Sequence, residues 1–126
     1  MSRARRRILA LDDQESILDM YKEYADENGA ELVGVTSIQE AFEALANGGI
    51  TEVVVDWNLH PHGHRGGPYT EPVIRRAIAE GLPVTVRTST DDSTHRLAGL
   101  RQELGDFPIL DKFAKIGLFG RGPERK

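Results

Sequence analysis

Polar side chains able to do chemistry stand where short apolar runs end. Asp12 and Asp13 follow Ile8 to Leu11, Asp56 follows Val53 to Val55, Thr88 closes the run from Val84, and Lys112 comes just after Ile109-Leu110. Three carboxylates gathered in one place repel one another strongly unless a cation sits between them, and an oxygen-only donor set suits Mg²⁺. Mg²⁺ takes only one or two protein carboxylates directly and keeps several waters, leaving a position for a phosphate oxygen. The Thr88 hydroxyl and the Lys112 ammonium would supply a donor and a compact cation for phosphoryl oxygens. Phosphoryl transfer needs mainly positioning and neutralisation of spread negative charge, so the set points to that chemistry.

Those residues meet only if the chain brings the ends of its apolar runs together. Short apolar runs alternating with helical patterns predict an α/β fold with a parallel sheet covered on both faces. The expected strands are Ile8 to Leu11, Leu32 to Val35, Val53 to Val55, Val84 to Val86 and Ile109-Leu110. In the doubly wound order 2-1-3-4-5 the first and third strands are neighbours, and ligands bind beyond the carboxyl ends of the strands. Asp12, Asp13 and Asp56 would then share one edge.

The connecting helices have their own signals. Ile17, Tyr21, Tyr24 and Ala25 recur at steps of three and four, ending at Asn28-Gly29. Ser37 with Glu40 forms a capping box ahead of Ile38, Ala41, Phe42 and Leu45, with Gly48-Gly49 as the stop. Thr70 is expected to cap a third helix carrying Pro72 in its first turn and Val73, Ile74, Ala77 and Ile78 on its buried side. A fourth runs from about Asp92 to Leu104. Beyond Lys112, Gly117, Gly120, Gly122 and Pro123 predict a fifth helix that is short or missing.

The ordered set Asp12-Asp13, Asp56, Thr88 and Lys112 resembles the response-regulator receiver family, and Asp56-Trp57-Asn58-Leu59 is similar to its single-domain chemotaxis members. The resemblance covers about Arg7 to Phe113. It implies a flavodoxin-like (CheY-like) doubly wound sheet of five parallel strands, with Asp56 phosphorylated from a histidine kinase, a phosphotransfer protein or a small phosphodonor. It further implies that Asp13, Asp56 and the main-chain carbonyl of Asn58 bind Mg²⁺, that Asp12 acts largely through water, and that Thr88 and Lys112 hold phosphoryl oxygens. The chain then divides into a basic arm (1–6), a receiver domain (7–113) and a short tail (114–126). Such a module signals through a downstream protein partner and is not an enzyme in the ordinary sense, although it catalyses its own phosphorylation and dephosphorylation.

Several positions depart from the family. Phe113 stands where a proline usually follows the lysine, and Ile109 stands where an aromatic side chain usually reports the movement of the hydroxyl residue. The stretch after Asp56 is long, with His60, His62 and His64 among glycines and prolines, a weak arrangement for a transition metal. Thr85 and Arg87 put polar groups on one face of the fourth strand, which predicts a face left partly open by a reduced C-terminal element. Ile116, Leu118 and Phe119 suit either docking on a partner or a loosely packed tail, and loss of a fifth helix would alter partner choice or the geometry of a homodimer.

Composition narrows the rest. With 126 residues, 39% of them hydrophobic, the sequence suits one soluble domain. A net charge of −4 with basic residues gathered at the two ends argues against a broad nucleic-acid surface. Absence of cysteine fits a reducing cytoplasm, and Ile8 to Leu11 is too short to span a membrane. Three readings follow: a phosphate-accepting receiver, a receiver-like interaction module that no longer switches, and a metal-dependent phosphatase or hydrolase using the aspartates with the loop histidines. Plainer roles stand beside them, in which Asp12-Asp13 caps the first helix and Trp57 and Tyr69 serve packing.

Overall fold

The computed structural model describes residues 6–57, 59, 69–88, 94–105, 107 and 109–111. Along the chain these form β1 (Arg7–Leu11), α1 (Glu15–Glu27), β2 (Glu31–Val35), α2 (Ile38–Asn47), β3 (Glu52–Asp56), α3 (Glu71–Ala79), β4 (Val84–Thr88), α4 (Thr94–Leu104) and β5 (Ile109–Asp111). The strands make one sheet in the order β2-β1-β3-β4-β5, with every pairing parallel. This is the doubly wound order expected from the alternation of apolar runs and helices. The anticipated reduction of a fifth helix falls on residues outside those described, as do most of the basic arm and the whole tail.

Successive side chains on a strand point to opposite faces, and the apolar residues sort accordingly. Leu9, Leu11, Val53, Val55, Val84 and Val86 belong to the larger core, with Ala41 and Leu45 of α2, Ile74 of α3 and Leu97 of α4. Ile8, Ala10 and Val54 face the other way, against Ile17, Tyr21 and Ala25 of α1. Every residue of β3 is buried because both of its faces are covered. Full burial of one such valine contributes about 1.5–3 kcal/mol.

Local chemistry sets the helix ends. At α1 the chain leaves through Asn28 and Gly29, whose φ of +69° is strained for a residue with a Cβ. At α2 the Ser37 side chain accepts from the Glu40 N–H, as the capping box requires, while the Glu40 carboxylate reaches back to the Thr36 N–H. That donor holds the Glu40 carboxyl below its ordinary range.

Two expectations need correcting. Thr70 stands at the start of α3 with Pro72 in the first turn, but its side chain makes no capping bond. Its hydroxyl is turned inward and donates to the main-chain carbonyl of Asp56 at the end of β3. The polar face of β4 is also not open, since Thr85 and Arg87 are both buried. Tyr21 of α1 lies against the Arg87 guanidinium, and the long methylene stem of arginine fills space as an apolar side chain would. α4 starts at Thr94 in the described residues, with Leu97 and Leu100 buried and Leu104 half-buried. Asp92 lies outside them.

Candidate functional site

Each residue of the acidic cluster is held by the sheet. Asp12 directly follows β1, and its N–H donates to the Val35 carbonyl at 3.1 Å, extending the β1–β2 ladder by one residue. One carboxylate oxygen, Oδ1, accepts from the Gln14 N–H at 2.8 Å. The plainer role is therefore real: Asp12 satisfies a main-chain donor beside the start of α1, whose own N-cap, Gln14, supplies no side-chain bond. It does not exhaust the residue. Asp12, Asp13 and Asp56 each bring a carboxylate oxygen within 4.8 Å of the others.

Asp56 ends β3 and is 3% exposed, Asp12 is fully buried and Asp13 half-buried. The main chain around Asp56 is fixed from two sides. Trp57 donates its N–H to the Arg87 carbonyl at 2.9 Å, continuing the β3–β4 ladder, and the Thr70 hydroxyl donates to the Asp56 carbonyl at 2.7 Å. Thr70 N–H also donates to the Trp57 carbonyl at 3.0 Å, closing the chain back onto the strand end. Trp57 is buried with its ring centroid 5.1 Å from that of Tyr69, at 40°, so both aromatics serve packing here.

Thr88 closes β4 at the same edge of the sheet, half-buried, with Asp111 of β5 as its register partner. Lys112 and Asn58 lie outside the described residues, as do His60, His62, His64 and Phe113. Of the residues marked in the sequence, the structure thus brings three carboxylates together and sets Thr88 on the adjacent strand end.

The donor set fits a hard divalent ion. Ligand oxygens 2.0–2.1 Å from an octahedral Mg²⁺ lie about 3–4 Å from one another. The three carboxylate oxygens lie within 4.8 Å of one another, near that spacing. Around the cluster the field is felt by Tyr21, 1% exposed: burial pushes its phenol well above the ordinary range, the Arg87 cation opposes the shift, and the negative charges of Asp12 and Asp56 add to it.

No protein-family model matches the sequence, and no curated protein does. Solved structures do match. A response regulator receiver domain (CheY-like) from Methylobacillus flagellatus is 20% identical with a TM-score of 0.71, over 92% of this chain and 93% of that one. The non-phosphorylated HemR receiver domain from Leptospira biflexa is 21% identical with a TM-score of 0.68, over 88% and 85%. SdrG from Sphingomonas melonis is 24% identical with a TM-score of 0.68, over 90% and 89%.

The chain has the receiver fold. On that fold the acidic cluster stands at the carboxyl edge of β1 and β3. No described helix is long and apolar enough to cross a membrane.

Two contributors to this edge of the receiver fold are not evident in the sequence. A hydroxyl before a helix, such as that of Thr70, usually caps it; only the return of the chain onto β3 shows its other use. Arg87 was legible as an anomaly, a cation between Val86 and Thr88 in an apolar run, and the signal for a role was that a strand with both faces covered has nowhere to expose it.

Proposed function

We propose that this chain is a single-domain response regulator receiver that accepts a phosphoryl group on Asp56. The observation carrying the reading is the approach of the Asp12, Asp13 and Asp56 carboxylates within 4.8 Å at the carboxyl edge of a parallel receiver-type sheet. An Asp56 carboxylate oxygen attacks the donor phosphorus, the new O–P bond forms as the bond to the donor breaks, and a donor imidazole leaves with a proton. Asp13, Asp56 and the Asn58 carbonyl would hold Mg²⁺, with Asp12 acting through water. Bound there, the ion would neutralise charge on the phosphoryl oxygens. Thr88 at the end of β4, and Lys112, the residue after β5 in sequence, would receive those oxygens.

The partners this implies are a histidine kinase or phosphotransfer protein upstream and a protein target downstream, in the cytoplasm. The module signals and does not turn over an external substrate. The deciding experiment is intact mass after incubation with Mg²⁺ and acetyl phosphate or phosphoramidate. A gain of one phosphoryl group, absent in Asp56→Asn and absent with EDTA, is the expected result; no gain under saturating donor overturns the reading. Steady hydrolysis of phosphate esters would instead favour the hydrolase reading.

A second reading rests on Ile109, which is half-buried against the larger core and is aliphatic where the family resemblance calls for an aromatic switch. A receiver-like module that accepts phosphate without changing its surface would gain the mass and show the same amide-exchange pattern around β4 and β5 before and after.

A further inference from the structure

Arg87 is the least expected residue in the sheet. It lies on β4, a strand covered on both faces, and is fully buried. Its register partner on β3 is Asp56. Register partners on parallel strands share a face, and adjacent strands lie about 4.8 Å apart, so the two side chains leave the sheet side by side. The face is that of α1: Val54, two residues before Asp56, packs with Tyr21, and the Arg87 guanidinium carbon is 5.8 Å from the centre of the Tyr21 ring.

A guanidinium is charged at every pH a protein meets, and a buried cation needs opposite charge nearby. The buried acids among the described residues are Asp12, Glu52 and Asp56. Glu52 is engaged at the opposite end of β3, where Arg6 donates to both of its carboxylate oxygens at 2.8 and 3.2 Å. Asp12 and Asp56 lie at the Arg87 end, and both act electrostatically on the same Tyr21 that Arg87 covers.

We propose that Arg87 is a resident counter-cation of the Asp12–Asp13–Asp56 cluster, holding the carboxylates together in the metal-free protein and competing with a divalent ion for them. The proposal deepens the receiver reading, because it takes the cluster to be a divalent-ion site. Its consequence is a site that stays folded and compact without metal and binds Mg²⁺ more weakly than three carboxylates alone would.

Trp57, the single tryptophan, follows Asp56 in sequence and is buried, so its fluorescence serves as the probe in a metal titration. Titrating Mg²⁺ into the full chain should give a dissociation constant roughly tenfold lower in Arg87→Met than in the native protein, because a competing unit charge at close range is removed. Arg87→Lys, which keeps the charge, should stay near the native value. Equal affinity in the native protein and Arg87→Met overturns the proposal, as does an absence of binding in both.

Arg87→Met could fail to fold, so a second measurement uses the native background. In EDTA, Asp56→Asn should lower the melting temperature, because it removes a partner of a buried cation. A rise would mean that neutralising one carboxylate relieves uncompensated repulsion, and would overturn the proposal. Neither measurement involves phosphoryl transfer. A protein showing both Arg87 effects but gaining no phosphoryl mass refutes the receiver reading alone; one that gains the mass with an Mg²⁺ affinity indifferent to Arg87 refutes the counter-cation alone.

Discussion

The Thr70 hydroxyl donates to the main-chain carbonyl of Asp56 at 2.7 Å across 14 residues of chain, and it is fully buried where it does so. This bond ties the start of α3 to the end of β3, on the same residue whose side chain enters the acidic cluster. The position of the Asp56 carboxylate therefore depends on α3 as well as on the sheet.

Replacing the hydroxyl tests that dependence. Thr70→Val keeps the shape and leaves a buried carbonyl with a missing donor, so it should cost about 1–3 kcal/mol in urea unfolding. Thr70→Ser retains the donor and should cost less. If the bond also positions Asp56, Thr70→Val will slow phosphoryl uptake from acetyl phosphate at Mg²⁺ saturation, whereas a purely structural role would leave the rate of the folded fraction unchanged.

Tyr21 sets an alkaline limit. Burial raises its phenol in the folded state above the value of about 10 found in an unfolded chain. The unfolded chain thus gives up this proton first, so the stability that Tyr21 contributes is whole below pH of about 10 and falls as pH rises from there toward the raised folded value. Tyrosinate absorbance should show one of the three tyrosines ionising late and together with unfolding. In Tyr21→Phe the late component should vanish and alkaline unfolding should begin at higher pH.

The Arg6–Glu52 pair fastens the N-terminal end of the sheet. Arg6 is a third exposed, with side-chain exposure of 32%, and Glu52 is nearly buried at 6%. Glu52 raises the Arg6 guanidinium above its ordinary range, chiefly through the hydrogen bond between them. Removing only the cation takes a charged partner from a buried carboxylate, so Arg6→Ala should cost about 1–2 kcal/mol, less than for a fully buried pair because water screens the arginine. The double variant Arg6→Ala/Glu52→Leu should recover much of that loss in a denaturation cycle.

Much of this protein can be read from its residue order. Runs such as Val53 to Val55 are continuous and apolar because a central parallel strand is covered on both sides, so β1, β2, β3 and β4 fall within two residues of where those runs stand. Ser37 and Glu40 announce α2 because capping is a contact between near neighbours in sequence. The spacing of Asp12, Asp13 and Asp56 at run ends forecast the cluster, since the sheet order sets β1 beside β3. Tertiary structure decided what covers each face and where inward polar groups go. Alternation placed Thr85 and Arg87 on one side of β4 but could not say that Tyr21, more than 60 residues earlier, lies there and buries Arg87. Nor could a local signal show that Thr70 spends its hydroxyl on Asp56 and not on its own helix. A side chain's periodicity is a property of its own segment, whereas its partner belongs to a segment that only folding brings near.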